Sequence, residues 1–180
     1  MACTITLTGR SRPCRNALGG VKAVWICTSV HTGENFWDAI AADGECDDTQ
    51  AAKTFNDFLS PKNSSSFAQT VNSSIENGTV FYTQTLSLVL NNIEPADIAM
   101  FENMGKGRMA IVVQDQNENF FVMGHTNGCY LTGGTGQTGA AMGDLNGFTL
   151  EITAEEVDPA PLMPVDGATG LPDTTLATFS

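Results

Sequence analysis

Residues 78–91 read GTVFYTQTLSLVLN, and along them Val80, Tyr82, Leu86, Leu88 and Leu90 alternate with Phe81, Thr83, Thr85, Ser87 and Val89. A period of two is the mark of a strand, because successive side chains point to opposite faces of a sheet. One face here is largely apolar and the other mostly hydroxyl-bearing, which predicts a half-buried strand longer than the common five or six residues. The preceding SFAQTVNSS at residues 66–74 and the turn-like Ile75-Glu76-Asn77-Gly78 make it one arm of a long hairpin.

Working outward, short β-branched runs between Gly, Asn and Asp punctuation predict further strands. VKAVWICT at residues 21–28 follows a Gly-Gly break, and two weaker candidates lie at 35–42 and 53–59, with the acidic turn 43–48 between them. RMAIVVQD at 108–115 is answered by FFVMGH at 120–125 across a polar turn. Asn127-Gly128 is a hairpin signal leading into 129–132, and GFTLEIT at 147–153 closes the series after a Gly-rich loop over 133–147. The single convincing helix spans 95–104, opened by Pro95 with Asp97 close behind, given an apolar side by Ile98 and Phe101, and closed by Gly105. The expected fold is mainly β: an antiparallel β-sandwich or open barrel with one inserted helix. An N-terminal arm at 1–20, an assembly domain at 21–157 and a Pro-rich extended tail at 158–180 complete the expected organisation.

Composition narrows the function. Hydrophobic residues make up 42% of the 180 and charged ones only 16%, against roughly 25% in an average soluble domain. Much of the surface is therefore Ser, Thr, Asn, Gln and Gly, which suits packing against other protein. A net charge of −12 excludes gripping nucleic acid through its phosphates, which takes clustered Lys and Arg. The sign is unevenly spread: residues 1–22 carry Arg10, Arg12, Arg15 and Lys22 with no acid, whereas residues 151–180 carry acids and no base. Such asymmetry fits attraction between neighbouring subunits, with Arg10, Arg12 and Arg15 as interface candidates. Five cysteines without a C-x-x-C pair point to a reducing compartment. Nothing resembles a signal-peptide core or the ~20 apolar residues of a membrane span, so a protein made in the cytosol and left unprocessed is expected.

Catalytic and cofactor chemistry finds little support. Gly134-Thr-Gly136-Gln-Thr-Gly139 matches the G-x-G-x-x-G spacing of dinucleotide loops, but that loop must open a helix inside a parallel βαβ unit, and residues 140–147 are too short and Gly-broken for one. His31 and His125 are the only histidines; His125 and Cys129 lie four apart, two ligands where zinc needs three or four. They read as an edge histidine and a half-buried thiol. Asp47-Asp48 and Glu155-Glu156 read as solvated pairs without the raised pKa of an acid catalyst. Trp25, Trp37, Phe81 and Tyr82 read as core. No enzymatic activity, cofactor or metal is expected, and the glycines of the loop, Gly133, Gly134, Gly136, Gly139 and Gly143, are candidates for an assembly interface with close backbone approach.

Residues 71–82 (VNSSIENGTVFY), the helix after them, and residues 131–150 (LTGGTGQTGAAMGDLNGFTL) resemble structural proteins of tailed bacteriophages. The order of a long hairpin, one inserted helix and closing strands is similar to that of tail tube proteins. The resemblance implies a virion subunit that meets copies of itself in hexameric rings, stacked with other virion proteins into a tube through which DNA passes without specific binding. A head-decoration or head–tail connector subunit is the alternative within virions. A small cytosolic nucleotide-binding protein using the Gly-rich loop is the alternative outside them.

Overall fold

The structure is a computed structural model that describes residues 17–29, 54–61, 64–163 and 178–179, together with Gly9. The expected strand at 35–42, the acidic turn at 43–48, Trp37, His31 and the arm residues Arg10, Arg12 and Arg15 lie outside the described residues. In chain order the elements are β1 (Val21–Ser29), β2 (Thr54–Phe58), β3 (Ser66–Ser74), β4 (Thr79–Asn91), α1 (Pro95–Lys106), β5 (Arg108–Asp115), β6 (Phe120–Met123), β7 (Tyr130–Gln137), β8 (Gly147–Glu156) and β9 (Thr178–Phe179). They form two sheets, ordered β6-β5-β1-β2-β9 and β3-β4-β8-β7. Every described pairing is antiparallel except the two-residue contact of β9 with β2. The fold is thus mainly β, consistent with a sandwich carrying one helix, as the alternation in the sequence predicts.

The core between the sheets follows from the strand periods. In the first sheet Val24, Ile26, Ile111, Val113 and Met123 face inward; in the second Leu86, Leu88, Leu150, Ile152 and Ala154 meet them. Full burial of a Leu or Ile side chain contributes about 1.5–3 kcal/mol, and Leu86, Leu88, Ile111 and Ile152 are all fully buried. Strand β5 differs from β4 and β8 in being buried along Met109 to Gln114 on both faces, as its unbroken apolar run requires. Its outward residues Ala110 and Val112 join Cys27, Phe55, Phe120, Val122 and Met163 in a second cluster on the far face of that sheet, against which Trp25 packs. The stretch expected as tail begins inside this cluster. Pro161 to Met163 run beside β6, with Val122 N–H donating to Pro161 O at 2.9 Å and Met163 N–H to Phe120 O at 2.8 Å.

Helix α1 starts where Pro95 places it, and the Asp97 carboxylate accepts the Glu94 N–H at 2.9 Å, satisfying one donor at the helix entry. The expected stop at Gly105 is corrected to Lys106, with Gly107 as the C-cap. Glycine in a last turn costs only about 1 kcal/mol, and the Glu102–Lys106 ion pair spans that turn. Phe101 packs on Phe148, ring centroids 4.2 Å apart, but Ile98 is exposed. The helix is anchored through Met104 and Phe101 instead. No helix among the described residues is long and apolar enough to cross a membrane.

Candidate functional site

The broadest functional surface is the outer face of β3-β4-β8-β7. Since Leu86, Leu88, Leu150 and Ile152 point inward, their neighbours point out: Thr83, Thr85 and Ser87 on β4, and Thr149, Glu151, Thr153 and Glu155 on β8. Register adds Thr70 and Asn72 from β3 and Tyr130 and Thr135 from β7. Hydroxyls bridge the strands, with Asn72 Nδ2 donating to Thr83 Oγ1 at 2.7 Å and the Thr132 and Thr153 hydroxyls 3.0 Å apart. None of these four strands contains a Lys or Arg. The strands of this face carry carboxylates as their only formal charges, and Arg108 of β5 borders it beside Tyr130, Thr132, Thr153 and Glu155.

The hairpin outruns its sheet. The last β4–β8 pair is Tyr82 with Glu156, whereas β3 and β4 stay paired to Ser74 and Thr79. Residues 71–81 therefore project as a two-stranded ribbon, and a ribbon of that kind is marginal in water by itself. It carries Val71, Ile75, Val80 and Phe81, all exposed, Ile75 at 96%. The core placement expected for Phe81 is corrected: by alternation it shares the outward side of β4 with Thr83 and Thr85, a side that no described layer covers. Strands β3 and β7, the outer strands of this sheet, have no described neighbour on their far sides.

The expected loop over 133–147 is corrected to a strand followed by a short turn. Gly133, Gly134 and Gly136 lie on β7, paired with Glu151, Leu150 and Phe148 of β8. Sequence reading missed this because glycine disfavours strands in isolation, while tertiary pairing with β8 overrides it. A strand, not a helix, thus carries the G-x-G part of the motif, and no helix opens after it, so the helix N-terminal amides of a dinucleotide site are not there. Gly139 has φ +70°, a conformation L side chains rarely adopt. After it Asp144 accepts the N–H groups of Ala140 and Ala141, both at 2.8 Å. Gly143 has open space around it.

At one end of the sandwich the turn between β6 and β7 buries polar groups that the sequence reading placed in solvent. Glu156 is 3% exposed, and its Oε1 accepts the N–H of Thr126 at 3.1 Å and of Asn127 at 2.7 Å. Burial raises its pKa, opposed by these backbone bonds, correcting the expectation of a solvated Glu155-Glu156 pair. Gln84, fully buried on β4, accepts the Gly124 N–H at 3.1 Å. Cys129 is wholly buried rather than half-buried, and burial, then the nearby Glu156 charge, pushes its thiol well up. A thiol held neutral in this way is not a nucleophile. His125, 9% exposed, places Nδ1 3.0 Å from Thr126 Oγ1, and its Nε2 has no partner. Among the described residues no three metal-ligating side chains cluster. The alternation of β8 could have flagged Glu156, since it continues the inward series Leu150, Ile152, Ala154.

These burials give a pH prediction. Burial lowers the His125 pKa, so the unfolded chain takes up the proton first; the stability this group contributes is complete above about 6.5 and is lost as pH falls through the depressed folded value. Glu156 runs the other way: its raised pKa costs stability at neutral pH, and that cost is relieved as pH falls through its folded value. Urea unfolding as a function of pH should therefore show a loss of stability below pH 6.5 that H125Q removes. An H125Q profile parallel to wild type would refute the assignment.

Comparison with known proteins gives no match: no family model, no curated protein sequence and no solved structure is similar to this chain.

Proposed function

We propose that the chain is a non-enzymatic structural subunit of a bacteriophage virion, a tail tube protein that stacks as rings around a DNA-conducting lumen. The observation that carries this reading is the outer face of β3-β4-β8-β7, hydroxyl-lined, acidic and without a single Lys or Arg on its strands. Turned to a lumen, the strands of such a face repel a polyanion weakly and offer it no cluster of counter-charges, with Arg108 at the border as a lone base, so DNA slides. The same sheet has β3 and β7 as outer strands, and edges of that kind are satisfied when a ring closes. The projecting ribbon, with Ile75 and Val80 exposed, supplies apolar surface for a neighbouring copy.

Negative-stain microscopy of the purified chain is the test. Six-fold rings or spontaneous tubes are expected, with this face inward. A tube built from a T83K/T85K/T153K variant should retain short duplex DNA in a salt-dependent way that wild-type tube does not. Monomers or trimers at all concentrations would overturn the tube and favour a head-decoration subunit.

A further inference from the structure

Between the end of β2, the end of β4 and the first turns of α1 lies a groove of about 430 Å³. Phe58, Leu90 and Met100 supply apolar wall, and Asp57, Glu94 and Asp97 bring three carboxylates to it. The α1 N-terminus contributes a partial positive charge of roughly +0.5, too little to cancel three full negative charges. The groove therefore presents anionic groups over an apolar floor, the pattern that takes an Arg-containing segment: the guanidinium meets carboxylate while its methylene stem covers carbon.

The chain offers one such segment. Of the described bases, Lys22 pairs with Glu118 at 3.2 Å, Lys106 pairs with Glu102, and Arg108 donates to Asn127 O at 2.9 Å. Residues 1–22 hold Arg10, Arg12 and Arg15 without an acid, with Pro13 among them and Ile5 and Leu7 before them. The root of this arm is fixed on one side of the body: Leu18 N–H donates to Asn117 Oδ1 at 2.8 Å and Leu18 O accepts from Asn117 Nδ2 at 2.8 Å, in the turn between β5 and β6. In the sheet, β5 flanks β1 on the side of that turn and β2 flanks it on the other, so root and groove lie on opposite sides of β1. We infer that the arm of one copy, through Arg10, Arg12 and Arg15, docks in the Asp57/Glu94/Asp97 groove of the next. Such a contact is heterologous, head to tail, and repeats around a closed ring. It rests on the ring reading only for the identity of the partner.

Binding of a labelled peptide tests this without requiring rings. A peptide of residues 5–17 carrying C14S is titrated, by fluorescence anisotropy, against the full chain carrying R10E/R12E/R15E, at about 20 and about 300 mM NaCl. Saturable binding is expected at low salt, weakened about tenfold or more at high salt, and weakened about tenfold or more when D57K/E94K is added to the receptor. Because lysines near a helix start can disturb folding, D57N/E94Q serves as a second receptor, with an expected loss of about threefold. No saturable binding, or equal binding by both groove variants, overturns the proposal. Dilute monomeric wild type should bind the peptide as tightly as the arm variant. If it binds about tenfold more weakly, the chain's own arm fills its own groove and the two-copy contact is wrong. Peptide binding with no rings in the microscope would retain the groove contact and remove the tube; rings with unaffected peptide binding would do the reverse.

Discussion

Replacing Glu156 by Ala is expected to cost about 2–4 kcal/mol of unfolding free energy in urea at neutral pH. The carboxylate is buried, yet its Oε1 is the acceptor for the N–H groups of Thr126 and Asn127. Alanine removes the shared acceptor of both donors at a position only 3% exposed, at about 1–3 kcal/mol for each group left unsatisfied. Partly offsetting this, the cost of holding a charge out of water disappears, which is the same burial that raises the Glu156 pKa. The turn also carries Cys129, whose N–H and C=O both bond Met109, so loosening it reaches β5 and the main core. E156Q keeps the acceptor oxygen and removes the charge, and should stay within about 1 kcal/mol of wild type. An E156A chain as stable as E156Q would mean that the turn holds its shape without the side chain.

Gly147→Ala should be the most damaging of the glycine substitutions over residues 133–147, at about 3 kcal/mol or more. Gly147 pairs with Asn91 at the start of β8, and a Cβ built on it would lie 2.0 Å from the Leu90 carbonyl oxygen and 3.0 Å from its carbon. Both are backbone atoms of a paired strand, so no side chain can swing away. Relief requires separating β4 from β8 where Asn92 N–H bonds Asn146 O at 2.8 Å, next to the entry of α1. For Gly136→Ala the nearest atoms are those of the Phe148 ring, at 2.7 Å, and a ring can shift against Phe101 where backbone cannot; about 1–2 kcal/mol is expected. Gly143→Ala meets nothing within 4 Å and should change stability by less than about 0.5 kcal/mol. Thermal or urea unfolding of the three variants reads the order directly. Equal losses at Gly147 and Gly143 would show that strand contact does not set the cost. The close approach of Gly136 and the positive φ of Gly139 give both an intrachain role, so Gly143 is the loop glycine whose substitution best isolates an assembly effect.

The sequence by itself determined those features whose cause is local. The period-two runs in β4 and β8 state which side chains face a core, since a strand with one wet face must alternate. The unbroken RMAIVVQD states that β5 is covered on both sides, and Pro95 with Asp97 states where α1 begins. The basic arm and the acid-rich chain end were legible as charge asymmetry. What only the tertiary structure decided depends on partners distant in sequence. Gly133, Gly134 and Gly136 became strand because β8 supplies their hydrogen bonds, against their own propensity. Glu156 became buried because the turn at Thr126 and Asn127 folds over it and supplies donors in place of water. Residues 161–163 joined the fold because β6 offered a free edge beside an apolar cluster. Phe81, apolar but on the outward side of β4 with Thr83 and Thr85, stayed exposed because no described layer covers that side, and hydrophobicity buries a side chain only where a second layer exists to receive it.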